Sequence, residues 1–122
     1  MILMIALGGI AGTLARYFLQ GFVQPKGDLF PWGTFVVNIS GSLALGLIIR
    51  LATGSDVITP QMRGGLAIGF CGAFTTMSTF SYETIALMAD GEYWRASLYA
   101  GGTLVGCLLA TALGIAVASR LL

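Results

Sequence analysis

Four apolar segments, each long enough to cross a lipid bilayer, occupy almost the whole sequence. They run over about 1–23, 32–52, 62–89 and 96–119, separated by short polar loops. About 20 apolar residues suffice for one helical crossing. Hydrophobic residues make up 57% of the 122 residues and charged residues only 9%, which excludes an ordinary soluble domain. We therefore predict an all-α membrane protein with one four-helix domain, and we interpret the opening MILMIALGG as a membrane helix rather than a cleaved signal.

The third segment is longer than one crossing requires, at about 28 residues. Gly69, Gly72 and the pair Thr75-Thr76 would weaken a helix there, so we predict two half-helices with a break near 72–77. Irregular backbone at membrane depth is tolerated only where it is buried or lines a cavity. Freed carbonyls at such a break can coordinate a cation, and the following helix N-terminus favours an anion. A glycine kink that serves packing alone is the alternative.

Small residues recur four positions apart in every segment. This spacing lets membrane helices approach closely and predicts a tightly packed bundle. The pairs are Gly8 and Gly12, Ser42 and Gly46, Gly65 and Gly69, and Gly102 and Gly106.

The basic residues are divided evenly between the two ends of the predicted spans. Three lie toward the side that holds both termini and three toward the other, so the positive-inside rule gives no preferred orientation. The balance suggests that the chain inserts both ways, unless six charges are simply a noisy sample. The first group is Arg50, Arg63 and Arg120; the second is Arg16, Lys26 and Arg95.

Two ionisable residues lie inside predicted spans, where charge is costly and marks a functional hypothesis. Arg16 precedes the first loop by two turns, so it either snorkels to the interface or serves function. Glu83 follows the predicted break. It is a buried hydrogen-bonding acid, a group that faces water, or part of a proton relay.

A ladder of polar residues follows one face of the fourth segment. Residues four apart share a helix face, and hydroxyl groups can donate to an anion, although a threonine in a helix often bonds its own chain. Asn38 and Thr34 of the second segment can join this polar path, and Phe80 can offer an electropositive ring edge. Such a lining suits a small anion. The ladder consists of Tyr99, Thr103, Cys107 and Thr111.

No enzyme chemistry is visible. The chain has no histidine, its acids are scattered, and no nucleophile–base pair is present. Cys71 and Cys107 are far apart and suit buried small side chains better than a metal site. Two other classes remain. A four-helix proton-coupled antiporter needs a carboxylate in the first helix, which holds Arg16 instead. A non-transporting assembly subunit does not need a polar ladder.

Three motifs resemble the small bacterial fluoride channels of the Fluc or CrcB family, and the likeness covers essentially the whole chain. They are GGIAGTLARY at 8–17, PWGTFVVN at 31–38 and GFCGAFTTMSTFSYET at 69–84. The resemblance implies an antiparallel, dual-topology homodimer in the bacterial cytoplasmic membrane. It would export fluoride by passive conduction through two pores and confer fluoride resistance, without a nucleic-acid partner. It also implies a structural sodium ion at the dimer interface, held by the backbone carbonyls of Gly72 and Thr75.

The same resemblance implies which side chains line the fluoride pore. Met77 stands where the family has the first of two phenylalanines, and Cys107 stands where a serine is common. Arg16 matches the arginine of the family's first helix and is assigned a structural role near the pore mouth. The implied pore residues are Asn38, Met77, Phe80, Tyr99, Thr103, Cys107, Thr111, Thr34, Ser78 and Glu83.

Overall fold

Helices form the whole chain apart from its connecting loops. A computed structural model describes residues 1–122 and contains no strand. Helix α1 is Ile2–Val23 and α2 is Trp32–Gly54. The third segment divides into α3, at 60–74, and α4, at Met77–Ala89. Helix α5 is Tyr93–Leu121. The all-helical class and the interrupted third segment agree with the expectation from sequence.

The outer surface of these helices is suited to lipid. Helices α1, α2 and α5 are each long and apolar enough to cross a membrane, and apolar side chains such as Phe22, 88% exposed, point outward. Helix α4 has 13 residues, which cover about 20 Å of a hydrocarbon core about 30 Å thick. The third apolar segment therefore needs α3 and α4 together to cross the membrane. With this crossing and those of α1, α2 and α5, the chain is a membrane protein.

The third crossing is interrupted at Thr75 and Thr76. Both have extended backbone, with φ −82° and ψ 156° at Thr75 and φ −150° and ψ 112° at Thr76. Two adjacent β-branched residues favour this conformation. The Thr76 hydroxyl caps α4 by accepting the Thr79 N–H at 3.2 Å. The break is narrower than predicted, because the Gly72 N–H donates to carbonyls of the preceding turn and keeps Gly72 helical.

A π-helix at Gly64–Cys71 forms most of α3, a feature that the sequence did not predict. This stretch packs closely on α1. A Cβ added at Gly8 would overlap the carbonyl oxygen of Gly65, and one added at Gly12 would overlap that of Phe70. The small residues four apart thus let two backbones meet, as expected in a membrane bundle.

Helices α2 and α5 form the other close pair, with α4 packed on α5. Here the backbones meet at Gly46, where an added Cβ would overlap the Thr111 carbonyl, and at Gly114, which faces the Leu43 carbonyl. The spacing had suggested that α5 would contact another backbone at Gly102 and Gly106, but it does so at Gly114. A small core between α4 and α5 contains Leu87, Ala96 and Tyr99, with Phe30, Phe35 and Phe80 packed around it.

Replacing Gly8 with alanine should destabilise the bundle, whereas the same change at Gly9 should not. The new methyl group at Gly8 would collide with backbone rather than with a movable side chain, and overpacking typically costs about 1–3 kcal/mol. Gly9 has open space around it, so alanine there gains helix propensity of about 1 kcal/mol. Thermal unfolding of both variants in detergent measures the difference; equal midpoints would contradict the close α1–α3 packing.

Candidate functional site

Asn38 of α2 holds the break in the third crossing. Its side-chain Oδ1 accepts the Thr76 N–H at 2.8 Å, and its Nδ2 donates to the Thr76 carbonyl at 3.1 Å. Asn38 is only 8% exposed, so this reciprocal pair satisfies two main-chain groups that would otherwise be costly at membrane depth. A single carboxamide therefore ties α2 to the irregular backbone.

Other main-chain groups of the break remain free. No hydrogen bond of the chain is accepted by the carbonyls of Gly72 and Thr75. The Thr75 hydroxyl turns back to the Cys71 carbonyl, at 2.9 Å, and Gly72 is exposed on the single chain. Free carbonyls at an interrupted helix are suitable ligands for a hard cation.

A cavity of about 270 Å³ lies beside the break, between α2, α4 and α5. We call it the inner cavity. It contains five of the side chains that the sequence singled out and no charged group. Amide, hydroxyl, aromatic and sulfur groups line it together with aliphatic carbon. The residues of its wall are Asn38, Gly41, Ser42, Leu45, Thr75, Thr76, Met77, Phe80, Thr103, Leu104 and Cys107.

Thr103 has the one buried hydroxyl of this wall that lacks a hydrogen-bond partner. It is 7% exposed, and its Oγ1 has no hydrogen bond within the chain. A buried hydroxyl without a partner is uncommon and costs about 1–3 kcal/mol. Because Thr103 lines the inner cavity, its hydroxyl is available to an occupant of that space.

Phe80 connects the inner cavity to a second group of polar side chains. Its ring lies 5.1 Å from that of Tyr99, centroid to centroid, at 56°. Tyr99 is fully buried, and its hydroxyl donates to Glu83 Oε1 at 3.2 Å. Glu83 lies one turn after Phe80 on α4, so the buried Tyr99 contacts both a residue of the inner cavity and an acid outside it.

Glu83 and Thr34 line a larger, polar space of about 500 Å³, which we call the outer cavity. Gln20 Nε2 donates to the Thr34 hydroxyl at 2.8 Å. Gln24 ties the loop to α2, since its Nε2 donates to the Phe30 carbonyl at 3.0 Å and its Oε1 accepts the Gly33 N–H at 3.0 Å. Sequence reasoning missed both glutamines; their spacing of four residues, across the C-terminal end of α1, was the available signal.

The remaining singled-out residues lie apart from both cavities. Thr111 donates to the Ser42 carbonyl at 3.3 Å, so its hydroxyl joins α5 to α2. Ser78 is exposed, with its hydroxyl 3.3 Å from that of Thr76. Arg16 is half-buried and forms no salt bridge. The salt bridge of the chain joins Arg95 to Glu92. The four-residue ladder thus divides, and Thr103 and Cys107 are its members in the inner cavity.

Comparisons with known proteins match the sequence of this chain to one family. The family described as CrcB-like protein, Camphor Resistance (CrcB), matches residues 3–115. A protein named fluoride-specific ion channel FluC from Geotalea uraniireducens (strain Rf4) is 48% identical over 121 residues, which is 98% of each chain. A protein of the same name from Geobacter sulfurreducens is 46% identical, again over 98% of each. One from Chlorobaculum tepidum is 47% identical over 107 residues, or 88% of this chain and 85% of that protein.

Proposed function

The chain belongs to the CrcB-like protein family, and we propose that it is a fluoride-selective channel through which fluoride leaves the cell passively across the bacterial cytoplasmic membrane. Relatives that carry the name fluoride-specific ion channel match it over nearly their full length. The observation that carries the proposal is the uncharged inner cavity, with the partnerless hydroxyl of Thr103 beside Asn38 and Phe80. Conduction requires no bond to be made or broken, so the proposal includes no catalytic residue.

An uncharged polar wall is suited to a small anion that must enter and leave quickly. Fluoride is strongly hydrated, so the pore has to replace lost water contacts with several contacts of moderate strength. A fixed positive charge would hold the ion too tightly. Thr103 offers a hydroxyl donor, Asn38 has a second amide hydrogen beyond the one given to Thr76, and Phe80 offers its ring edge.

The outer cavity is the proposed pore mouth on one side. Thr34 and Glu83 line it, and the buried Tyr99 donates its hydroxyl to Glu83 from behind this wall. In the proposed pathway, Tyr99 and Glu83 hold each other in place through their hydrogen bond, and an ion passes Glu83 and Phe80 to enter the inner cavity. Arg16, which forms no salt bridge in the chain, is proposed to have a structural role near the pore mouth, and Ser78 and Thr111 are proposed as positioning residues outside the two cavities.

The carbonyls of Gly72 and Thr75 are the proposed ligands of a structural sodium ion. They fit a hard cation because both oxygens are free of hydrogen bonds, while the adjacent Thr76 carbonyl is occupied by Asn38. Two carbonyls from one chain are too few for a complete shell, and an antiparallel second copy would supply two more. The ion would fasten the two breaks together and would not be transported.

An antiparallel homodimer accounts for polar groups that a single chain leaves open in the middle of the third crossing. Gly72, Ser78 and Ser81 are exposed there, and Met77 is 72% exposed. Polar backbone facing lipid is unfavourable, so this face requires cover. The even division of the six basic residues is consistent with two opposite orientations.

Passive fluoride release tests the proposed function. Liposomes that contain the purified protein and are loaded with potassium fluoride or potassium chloride are treated with valinomycin, and external anions are followed with ion-selective electrodes. The proposal predicts rapid fluoride release and far slower chloride release. Equal release of the two anions would refute selectivity, and no release above that of empty liposomes would refute conduction.

Replacing Thr103 with valine should reduce fluoride flux while leaving the fold at least as stable. Valine has the same shape and removes an unsatisfied hydroxyl, which should raise stability by up to about 1–3 kcal/mol. The matched change Thr111→Val removes a hydroxyl that bonds the Ser42 carbonyl and should lower stability, with a smaller effect on flux. Thermal unfolding and liposome flux of both variants decide between these roles. Full flux in Thr103→Val would show that this hydroxyl does not contact the ion.

Adding two or three lysines to the loop around Asp90 and Glu92 should force one membrane orientation. If the dimer is antiparallel, this variant alone cannot pair and should lose flux. Co-expression with a variant biased the opposite way should restore it. Full activity in a uniformly oriented population would contradict antiparallel pairing.

A further inference from the structure

Two sulfur-containing side chains line the inner cavity. Met77 comes from the first turn of α4, and Cys107 comes from the middle of α5. The fluoride proposal does not require sulfur at either position. Thiols and thioethers are soft ligands that select soft cations such as Cu(I), so the pair gives this cavity a chemistry that its oxygen groups do not provide.

The rest of the wall excludes the common divalent metals. The inner cavity has no carboxylate or imidazole, and the chain contains no cluster of three histidine, cysteine or acidic residues. Zinc requires about four nitrogen, sulfur or oxygen ligands, and calcium requires six or more oxygens. A soft monovalent cation can be held by two sulfur atoms without a complete shell of hard ligands.

The inner cavity is also built to receive an occupant. The Thr103 hydroxyl is buried, has no partner and lines the same space. Met77 is 72% exposed and Cys107 is half-buried. The other cysteine, Cys71, is 2% exposed and lines neither the inner nor the outer cavity. The two cysteines therefore differ in whether an ion in the pathway can meet them.

We propose that Cys107 and Met77 form a binding site for a soft monovalent cation, of the class of Ag(I) and Cu(I), and that the bound ion closes the pathway. On binding Ag(I), the S–H bond of Cys107 breaks, a sulfur–silver bond forms and the proton leaves to water. The Met77 thioether is the second ligand. The binding site is inferred from the side chains that line the inner cavity, whereas closure of the pathway rests on the proposed function.

Silver nitrate in chloride-free buffer is the probe, and binding is measured separately from flux. Native mass spectrometry of the parent should find silver bound at this site in each chain, and Cys71→Ser should match the parent. Cys107→Ser should lose affinity by at least about 10–100-fold, the range for disturbing a metal's surroundings, and Met77→Leu should lose about 10-fold. The double variant Cys71→Ser/Cys107→Ser measures how much silver binds to methionines when both thiols are absent.

Fluoride release from liposomes is then compared with and without silver for each variant. The parent and Cys71→Ser should be blocked by the concentration that fills the site, and Cys107→Ser should resist it. Unchanged silver affinity in Cys107→Ser or in Met77→Leu would overturn the two-sulfur site, and full flux at saturating silver would overturn closure. If the parent conducted no fluoride at all, the proposed function would fail, while the affinity differences would still support the metal site.

Discussion

Replacing Asn38 with alanine should abolish fluoride flux and strongly destabilise the protein. The change leaves the N–H and the carbonyl of Thr76 without partners at membrane depth. Each unsatisfied group costs about 1–3 kcal/mol, so the expected loss of stability is about 2–6 kcal/mol. The extended backbone at Thr75 and Thr76 would then lose the contact that fixes it beside the inner cavity. Thermal unfolding and flux at a temperature where the variant is still folded measure the two effects.

Ser40→Ala is the matched control on the same helix. The Ser40 hydroxyl bonds carbonyls of its own helix, Val36 at 2.7 Å and Val37 at 3.2 Å, so its loss should change stability and flux little. An alanine variant as stable and active as Ser40→Ala would contradict the role of Asn38 in the break.

Replacing Phe80 with isoleucine should strongly reduce fluoride flux. Isoleucine retains much of the bulk of the side chain but removes the electropositive ring edge from the wall of the inner cavity. It also removes the aromatic contact with Tyr99, a pair worth about 0.5–1.5 kcal/mol beyond burial. Flux must therefore be compared on variants that remain folded and keep the oligomeric state of the parent.

Phe70→Ile separates the ring-edge role from packing. Phe70 is also half-buried and has an aromatic neighbour, Phe74, at 5.5 Å, but it does not line the inner cavity. Its replacement should lower stability without a comparable fall in flux.

Met77→Phe should preserve flux, and Met77→Val should impair it if the thioether contacts the ion. If Phe80→Ile conducts like the parent, selectivity must come from Thr103 and Asn38.

The sequence predicted the features that depend on local composition. Apolar length indicated membrane helices, and the β-branched pair Thr75-Thr76 indicated the break. Small residues four apart indicated close helix contact, which Gly8, Gly12 and Gly65 provide. The resemblance to the fluoride channels grouped Asn38, Phe80 and Thr103 as pore residues, and the structure places all three on the wall of one cavity.

Features that depend on partners distant in sequence could not be predicted in this way. Spacing put Thr111 in the polar ladder, but its hydroxyl is used by the Ser42 carbonyl on another helix. Asn38 was expected only as a lining group, whereas its main contact is the backbone 38 positions further along. The π-helix at Gly64–Cys71 packs closely against α1, and the local sequence did not reveal its π-helical form.

The reversal potential of the fluoride current shows whether conduction is passive and selective. Purified protein in a planar bilayer is given unequal fluoride on the two sides, first at equal pH and then with a pH gradient. A fluoride channel should reverse at the equilibrium potential of fluoride in both conditions, with chloride gradients having little influence. A reversal potential that moves with the pH gradient, or fluoride transport without any current, would contradict the channel and indicate proton-coupled exchange.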